Sequence, residues 1–198
     1  MPVELLEPPM TKCDRLLMTT EELYALPDDD VERELVRGQL REKPMTKRNR
    51  RHARTTSRVS QALLNWLDRQ PAPRGEVLSG EAGVCLDRDP DTTKGVDVAY
   101  VSAETAAATP EGQPWIEGPP VLAVEILSPS DTHEDIYGKV IDYLHYGVQL
   151  VWVVDPDFQI VHVHRPDVPT ESFNINQELP QHPALPGLQI RVADFFRR

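Results

Sequence analysis

The sequence has few cysteines, no long apolar run, no glycine-rich phosphate loop and no excess of positive charge. Its two cysteines, Cys13 and Cys85, support neither a disulfide framework nor a zinc cage of cysteine thiolates. No apolar run approaches the roughly 20 residues that a membrane-spanning helix needs. The first eighteen residues carry acids and two consecutive prolines where a signal peptide would be apolar. We therefore expect a cytoplasmic protein that binds no membrane.

The length and composition indicate one globular domain. A chain of 198 residues can bury one sizeable core but is short for two independent domains. Its 39% hydrophobic and 27% charged residues are typical of a globular protein rather than a disordered one. The first ordered signal is a capping-box pattern formed by Thr19 and Glu22. We predict a flexible N-terminal tail over residues 1–18 and a single domain over residues 19–198.

The charge distribution is uneven. A formal net charge of −11 argues against a protein that coats nucleic acid without specificity, because neutralising phosphates requires clustered cations. Residues 41–58 nevertheless carry eight Lys or Arg and one acid, a local net charge of +7 that leaves −18 for the rest of the chain. This basic segment is where a polyanion would dock. The residues predicted to contact nucleic acid are Lys47, Arg48, Arg50, Arg51, His52 and Arg54. For His52, the alternative is a solvated position at a helix start.

Hydrophobic periodicity and turn residues predict a mixed β-sheet with helices against it. The predicted helices cover residues 19–26, 48–69 and 132–146, the last ended by Gly147, with a final helical turn in VADFF. Residues 102–120 are predicted as a partly helical excursion. The predicted strands are RELV and QLREK around an Arg37–Gly38 turn, VLSG, AGVCLD, VDVAYV, VLAVEIL, VQLVWVVD, FQIVHVHR and SFNINQEL. Antiparallel strands followed by a strand–helix–strand crossover indicate the α/β class.

Glu125 interrupts the most apolar run of the chain, VLAVEIL. An uncompensated carboxylate in a buried strand is strongly disfavoured because ionisation there costs solvation free energy. A hard divalent cation would compensate the charge, since such ions prefer carboxylate oxygens. The alternative is an acid at the end of a strand paired with a basic side chain. Strand alternation places Glu125 with Ala123 and Leu127 on one face.

Asp97 repeats this pattern in VDVAYV. Alternation predicts Asp97, Ala99 and Val101 on one face, with Val96, Val98 and Tyr100 on the other. Two carboxylates on neighbouring strands suit a Mg²⁺ ion, which takes one or two protein carboxylates and keeps sites for water and phosphate oxygens. The alternative is that Asp97 is a turn residue after Gly95.

Lys139 follows on the next predicted helix, between Asp135 and Tyr143 at intervals of four residues. Its ammonium group could reach back to the two acids and stabilise charge that develops on a phosphate. The alternative is an exposed ion pair with Asp135 that contributes little to stability or function.

The series RELVRGQL, a helix carrying His52, VDVAYV, VLAVEILSPSD and DIYGKVIDYLHYGVQLVWVVDP resembles the Uma-two family of the PD-(D/E)XK nuclease superfamily, over about residues 19–196. The resemblance implies a restriction-endonuclease-like core, Mg²⁺ or Mn²⁺ as cofactor, and hydrolysis of DNA. By position, it makes Asp97 and Glu125 the metal ligands, Lys139 the catalytic lysine moved onto the following helix, and Glu34 a ligand of a second metal or of water. Val96 stands where the family carries proline, and Leu127 where the superfamily carries its lysine.

The sequence leaves three functional hypotheses. The first is a metal-dependent endonuclease that acts on DNA, as a homodimer whose two basic segments share one groove. The second is a nuclease fold without activity that serves as a binding or assembly module. The third is a small metal-binding protein that uses His162 and His164, which share one face of a strand.

Overall fold

A computed structural model of the protein describes residues 17–44 and 49–197. The helices in this part of the chain are α1 (Thr20–Tyr24), α2 (Arg50–Leu67), α3 (Ala103–Ala108) and α4 (His133–His145), with a 3₁₀ turn at Val192–Phe195. The strands are β1 (Val31–Val36), β2 (Gln39–Pro44), β3 (Glu76–Asp87), β4 (Thr92–Val101), β5 (Ile116–Glu117), β6 (Leu122–Ile126), β7 (Leu150–Asp155), β8 (Ile160–Arg165) and β9 (Val168–Asn174).

The nine strands found in the described residues form one mixed sheet. Its main order is β2-β1-β4-β6-β7-β8-β9, while β3 pairs with β4 and with β5. Strands β6 and β7 are parallel and are joined by α4, whereas the other neighbours on the main path are antiparallel. The predicted α/β class, a mixed sheet flanked by helices, is confirmed.

Strand β4 determines where the functional residues lie. Along one edge it pairs with β3, and along the other it pairs first with β1 at Thr93 and then with β6 from Val98 to Tyr100. The strands β1 and β6 therefore diverge between Thr93 and Val98, and Asp97 stands in the gap. This divergence opens a cleft in the middle of the sheet.

A β-bulge lies opposite Asp97. Ser79 pairs with Val98 and Ala82 pairs with Val96, so two residues of β3 face one residue of β4. Bulges increase local twist and re-aim neighbouring side chains, and they are frequent beside active sites. The bulge also explains why VLSG and AGVCLD, predicted as two strands, are parts of the single strand β3.

The two core clusters test the predicted faces of β4 at five residues and agree with the prediction at four of them. Val98 and Tyr100 pack in one core cluster, while Ala99 and Val101 pack in the other. Val96, predicted to accompany Val98, belongs to the second cluster. The break in alternation coincides with the bulge, where the regular ladder is interrupted.

Two cores cover the two faces of the sheet. One forms under α2 and the 3₁₀ turn, with Val59, Leu63 and Trp66 among its members, and the other forms under α4 with Val140 and Tyr143. These helices are held because each buries an apolar stripe. Both predicted caps are present, since Thr19 forms the capping box of α1 and Gly147 follows α4 with φ +97°.

The last predicted strand is displaced along the chain. SFNINQEL was expected to be extended, but β9 begins at Val168 and ends at Asn174. Its residues are mostly exposed and include Pro169, so it lacks the alternation by which a half-buried strand is recognised. An edge position tolerates this proline because one row of backbone donors has no partner strand.

Within the described ranges, no helix has the length and apolar character needed to cross a membrane. The boundary between a tail and a domain at residue 18 stays a prediction. Residues 1–16, which make up most of the proposed tail, lie outside the described part of the chain. The amide of Met18, a residue assigned to the tail, donates a 2.8 Å hydrogen bond to the carbonyl of Gly38.

Candidate active site

The site forms where β4 and β6 run side by side. Val98 pairs with Val124 in the antiparallel register, so the next step along both strands sets Asp97 opposite Glu125. Side chains at opposed positions of neighbouring strands have Cβ atoms roughly 5 Å apart. Both residues line a cleft of about 610 Å³, together with residues of β1, β2, α2 and α4. The two acids predicted to converge therefore share one cavity.

Glu125 is buried, and both of its carboxylate oxygens have partners. Oε1 accepts a 2.6 Å hydrogen bond from the Tyr143 hydroxyl, and Oε2 lies 3.3 Å from Lys139 Nζ. Burial raises the pKa of Glu125 to about 7; the neighbouring Asp97 carboxylate also raises it, while Lys139 lowers it. Lys139 is the basic partner that the alternative interpretation required. The raised pKa shows that this lysine compensates the buried charge only in part.

Asp97 lies within β4 rather than in a turn, so the turn interpretation is wrong. Its Oδ2 accepts a 2.8 Å hydrogen bond from the amide of Ile126 and lies 3.2 Å from Nε2 of His52. Both Asp97 and His52 are buried. One contact fixes the carboxylate relative to β6, and the other fixes it relative to α2.

Lys139 points from α4 into the cleft and not to solvent. Besides Glu125, its ammonium group lies 3.4 Å from Glu34 Oε1 and 4.0 Å from Glu32 Oε1. Burial alone would lower the pKa of Lys139, but the surrounding carboxylates outweigh burial and raise that pKa. The lysine is therefore positively charged at neutral pH. Asp135, its partner in the alternative interpretation, pairs instead with Lys43 at 3.2 Å.

Glu34 lies on β1 and faces the same cleft. Its Oε2 lies 3.3 Å from Nζ of Lys94, a buried lysine of β4 whose ammonium group is also 3.0 Å from Asp142 Oδ2. Sequence reasoning missed Lys94 and gave Tyr143 no role at the site. A signal existed for Lys94, because a lysine inside the strand TTKGVDVAYV requires a buried counter-charge just as Glu125 does.

The basic segment lies beside the cleft, and the structure describes it only in part. Arg50 and Arg51 are exposed on the first turn of α2, and Arg51 forms an ion pair with Asp157. Arg54 is half-buried, whereas His52 is turned inward against Asp97 rather than toward the exposed basic surface. The two other residues predicted to contact nucleic acid, Lys47 and Arg48, belong to residues 45–48, which lie outside the described part of the chain.

The two histidines of β8 contact hydroxyl groups of the neighbouring strand. His162 Nδ1 lies 2.8 Å from Ser172 Oγ, and His164 Nδ1 lies 2.9 Å from Thr170 Oγ1. Burial, together with the adjacent His162, lowers the pKa of His164. Among residues 17–44 and 49–197, no group of three or more His, Cys, Asp or Glu side chains is arranged to enclose a metal ion. The histidine pair therefore gains no third ligand in this part of the chain.

Comparison with known proteins supports a nuclease fold. Residues 20–193 match a family model, Uma-two, described as "putative restriction endonuclease". A search of the curated proteins found no match. Among solved structures, a protein from Anabaena variabilis described as a "putative nuclease" aligns with a TM-score of 0.72 and 23% identity, over 90% of this chain and 97% of that one. At this identity the likeness shows a shared fold.

Proposed function

The chain belongs to the Uma-two family of restriction-endonuclease-like proteins, and on that premise we propose that it hydrolyses DNA phosphodiester bonds with a divalent metal ion. One observation carries the proposal. Two buried carboxylates, Asp97 and Glu125, face one cleft from neighbouring strands beside the ammonium group of Lys139. This combination of acids and a cation is what phosphoryl transfer requires.

The residues fit Mg²⁺, or Mn²⁺ in its place, held by Asp97 and Glu125. Carboxylate oxygens are the ligands that such hard cations prefer, and two protein carboxylates suffice because water and substrate oxygens complete the shell. Glu34 Oε1 is buried in the same cleft, makes no hydrogen bond and lies 3.4 Å from the Lys139 ammonium group, so Glu34 is proposed to act on water or on Lys139 beside the two metal ligands. A bound divalent ion supplies Lewis acidity toward phosphate and water.

The side chains around the two acids have separate tasks. Lys139 carries a positive charge into the cleft, where it stabilises the negative charge that develops on the phosphate oxygens. The Ile126 amide and His52 hold Asp97 in one orientation, while the Tyr143 hydroxyl holds Glu125. These contacts hold both carboxylates in the orientation that a metal ion would need. Such preorganisation of charged groups is the main source of electrostatic catalysis.

The basic segment, residues 41–58, is proposed to hold the DNA backbone. Contacts to phosphate position a nucleic acid without reading its sequence. The strongly acidic remainder of the chain repels DNA, so one basic segment offers a narrow docking surface. Two copies in a symmetric dimer would place two such segments along one groove. We therefore propose that the DNA-binding form is a homodimer.

The decisive experiment is cleavage of supercoiled plasmid with Mg²⁺, with Mn²⁺ and with EDTA. Asp97→Asn and Glu125→Gln keep the shape of each side chain but remove its charge, so we expect nicking to fall at least about a hundredfold in each. Glu104→Gln, an exposed position on α3, serves as the control and should cleave normally. Metal-dependent nicking that survives in both site variants would refute the assignment.

The acidity of the cleft favours a second candidate, a nuclease fold that binds without cutting. Nine Asp or Glu residues line the cleft against four Lys or Arg. This candidate predicts that the unmodified protein retains DNA or binds a protein partner, yet nicks no plasmid with either metal. Cleavage above the EDTA background, lost in Asp97→Asn, would eliminate it.

A further inference from the structure

Five charged side chains of alternating sign form a continuous row of ion pairs, the ion-pair chain, which begins beneath the candidate site and ends at Glu125. They run from Asp142 to Lys94 at 3.0 Å, to Glu34 at 3.3 Å, to Lys139 at 3.4 Å and to Glu125 at 3.3 Å. Four elements contribute to this ion-pair chain. Lys94 lies on β4, Glu34 on β1, Glu125 on β6, and both Asp142 and Lys139 on α4. The ion-pair chain therefore connects α4 to the strands beneath it at two positions, Asp142 and Lys139.

Lys94 is less accessible to a substrate than Lys139. Both lysines line the cleft, but the Lys94 side chain is 2% exposed and the Lys139 side chain is 16% exposed. The ammonium group of Lys94 is already shared between Glu34 and Asp142. We therefore expect Lys94 to influence catalysis through these two partners.

The position of Lys139 depends on a competition between two carboxylates. Its ammonium group lies almost equally far from Glu34 and from Glu125. Lys94 satisfies one oxygen of Glu34, which weakens the pull of Glu34 on Lys139. Without that neutralisation, the half-buried Glu34 carboxylate would rely on Lys139 as its counter-ion, because a charge that is largely withdrawn from water is disfavoured without a partner. Lys139 would then shift away from Glu125.

From this geometry we propose that Lys94 is a positioning residue, which by neutralising Glu34 keeps the ammonium group of Lys139 directed at Glu125. The inference rests on the proposed function for its catalytic consequence, but the position of Lys139 can be measured without cleavage. A purely structural ion pair would affect folding stability and leave the location of Lys139 unchanged. The two interpretations therefore differ in an observable.

The kinetic test uses Lys94→Met, which keeps the length of the side chain and removes its charge. We expect kcat for plasmid nicking to fall about tenfold or more, with KM changed less than about twofold. A misdirected ammonium group stabilises the transition state less well but leaves the binding of DNA largely unchanged. Lys94→Arg should restore most of kcat. Arg69→Met, which removes an exposed positive charge elsewhere, should leave both constants unchanged.

Two further variants keep the test valid if Lys94→Met folds poorly. Asp142→Asn weakens the far end of the ion-pair chain at a half-buried position and should lower kcat in the same direction by a smaller factor. The double variant Lys94→Met/Glu34→Gln removes the charge that would capture Lys139. It should lose no more kcat than Glu34→Gln alone, because residues that act through one another are not additive.

The independent readout is the NMR signal of the Lys139 ammonium group in protein labelled with ¹⁵N-lysine. Buried, ion-paired ammonium groups are protected from exchange with water, and Lys139→Met identifies the signal. We expect the signal to shift or broaden in Lys94→Met and to stay unchanged in Arg69→Met. An unchanged signal with full kcat in Lys94→Met would overturn the inference while leaving the nuclease proposal intact. A shifted signal in a protein that cuts no DNA would support the inference and refute the proposed function.

Discussion

Replacing Glu125 by glutamine is expected to stabilise the metal-free protein above neutral pH, although it removes a proposed metal ligand. Burial, helped by the Asp97 and Glu34 carboxylates, raises the pKa of Glu125 from an ordinary value of 4.5 to about 7. The unfolded chain has no such burial. Glutamine keeps the shape of the side chain and its carbonyl can still accept the hydrogen bond from Tyr143.

The direction and size of the effect follow from proton linkage. The folded protein binds this proton more tightly than the unfolded chain, so the free energy of unfolding falls as pH rises from 4.5 through 7. For those two pKa values the loss between pH 5 and pH 8 is on the order of 2 to 3 kcal/mol. Groups with lowered pKa values, such as Glu117 at about 2, act with the opposite sign, but they are present in both proteins. The difference between the two proteins therefore isolates Glu125.

The assay is urea unfolding at pH 5 and at pH 8 in EDTA, for the unmodified protein and for Glu125→Gln. The free energy of unfolding of the variant, relative to the unmodified protein, should rise by about 2 to 3 kcal/mol between the two pH values. Saturating Mg²⁺ at pH 8 should reduce the difference in free energy of unfolding between the two proteins, because metal binding stabilises only the unmodified site. Glu104→Gln should show no pH-dependent difference. An equal difference in free energy of unfolding at both pH values would refute the argument that burial raises the pKa of Glu125.

Three further predictions follow from the site and the basic segment. Tyr143→Phe removes the 2.6 Å hydrogen bond to Glu125, and at pH 8 urea unfolding should show a loss of about 1 to 2 kcal/mol. Arg50→Ala should lower the slope of log affinity for DNA against log salt by about 1, while exposed Arg69→Ala should not, as measured by titrations at several salt concentrations. Sedimentation at micromolar concentration should show a dimer, and a monomer throughout would contradict the proposed pairing of basic segments.

The two central acids could be predicted because each violates the local hydrophobic pattern. Glu125 interrupts the apolar strand β6, and Asp97 interrupts the neighbouring strand β4 in the same way. Alternation then places each carboxylate on a defined face of its strand, and the topology of the sheet makes the strands neighbours. Lys139 follows because the helix after Glu125 returns along the sheet. Local patterns identified these residues as candidates, and the family resemblance then favoured their functional roles over the alternatives.

The partners of Lys94 could not be predicted in the same way. Lys94 and Glu34 are 60 residues apart in sequence, and their contact depends on β1 meeting β4 at a single pair of residues. No periodicity encodes such a meeting. The bulge opposite Asp97 is similar, because it depends on the register of β3 against β4 rather than on either strand alone. The exposed edge strand β9 was misplaced because exposure removes the alternation on which strand prediction relies.

The distribution of charge explains how an acidic protein with an acidic cleft could act on DNA in the proposed function. Lys94 and Lys139 are both engaged by carboxylates inside the cleft, where Lys139 is proposed to act on the scissile phosphate alone, so neither holds the DNA backbone on either side of it. Backbone contacts must then come from the basic segment, whose exposed Arg50 and Arg51 begin α2. The next residue, His52, turns inward to Asp97. One helical turn thus connects the surface that would bind phosphate to a proposed metal ligand. Because a helix is stiff over such a short distance, docking of the DNA backbone on this turn would, in the proposed function, fix where the scissile phosphate lies relative to Asp97.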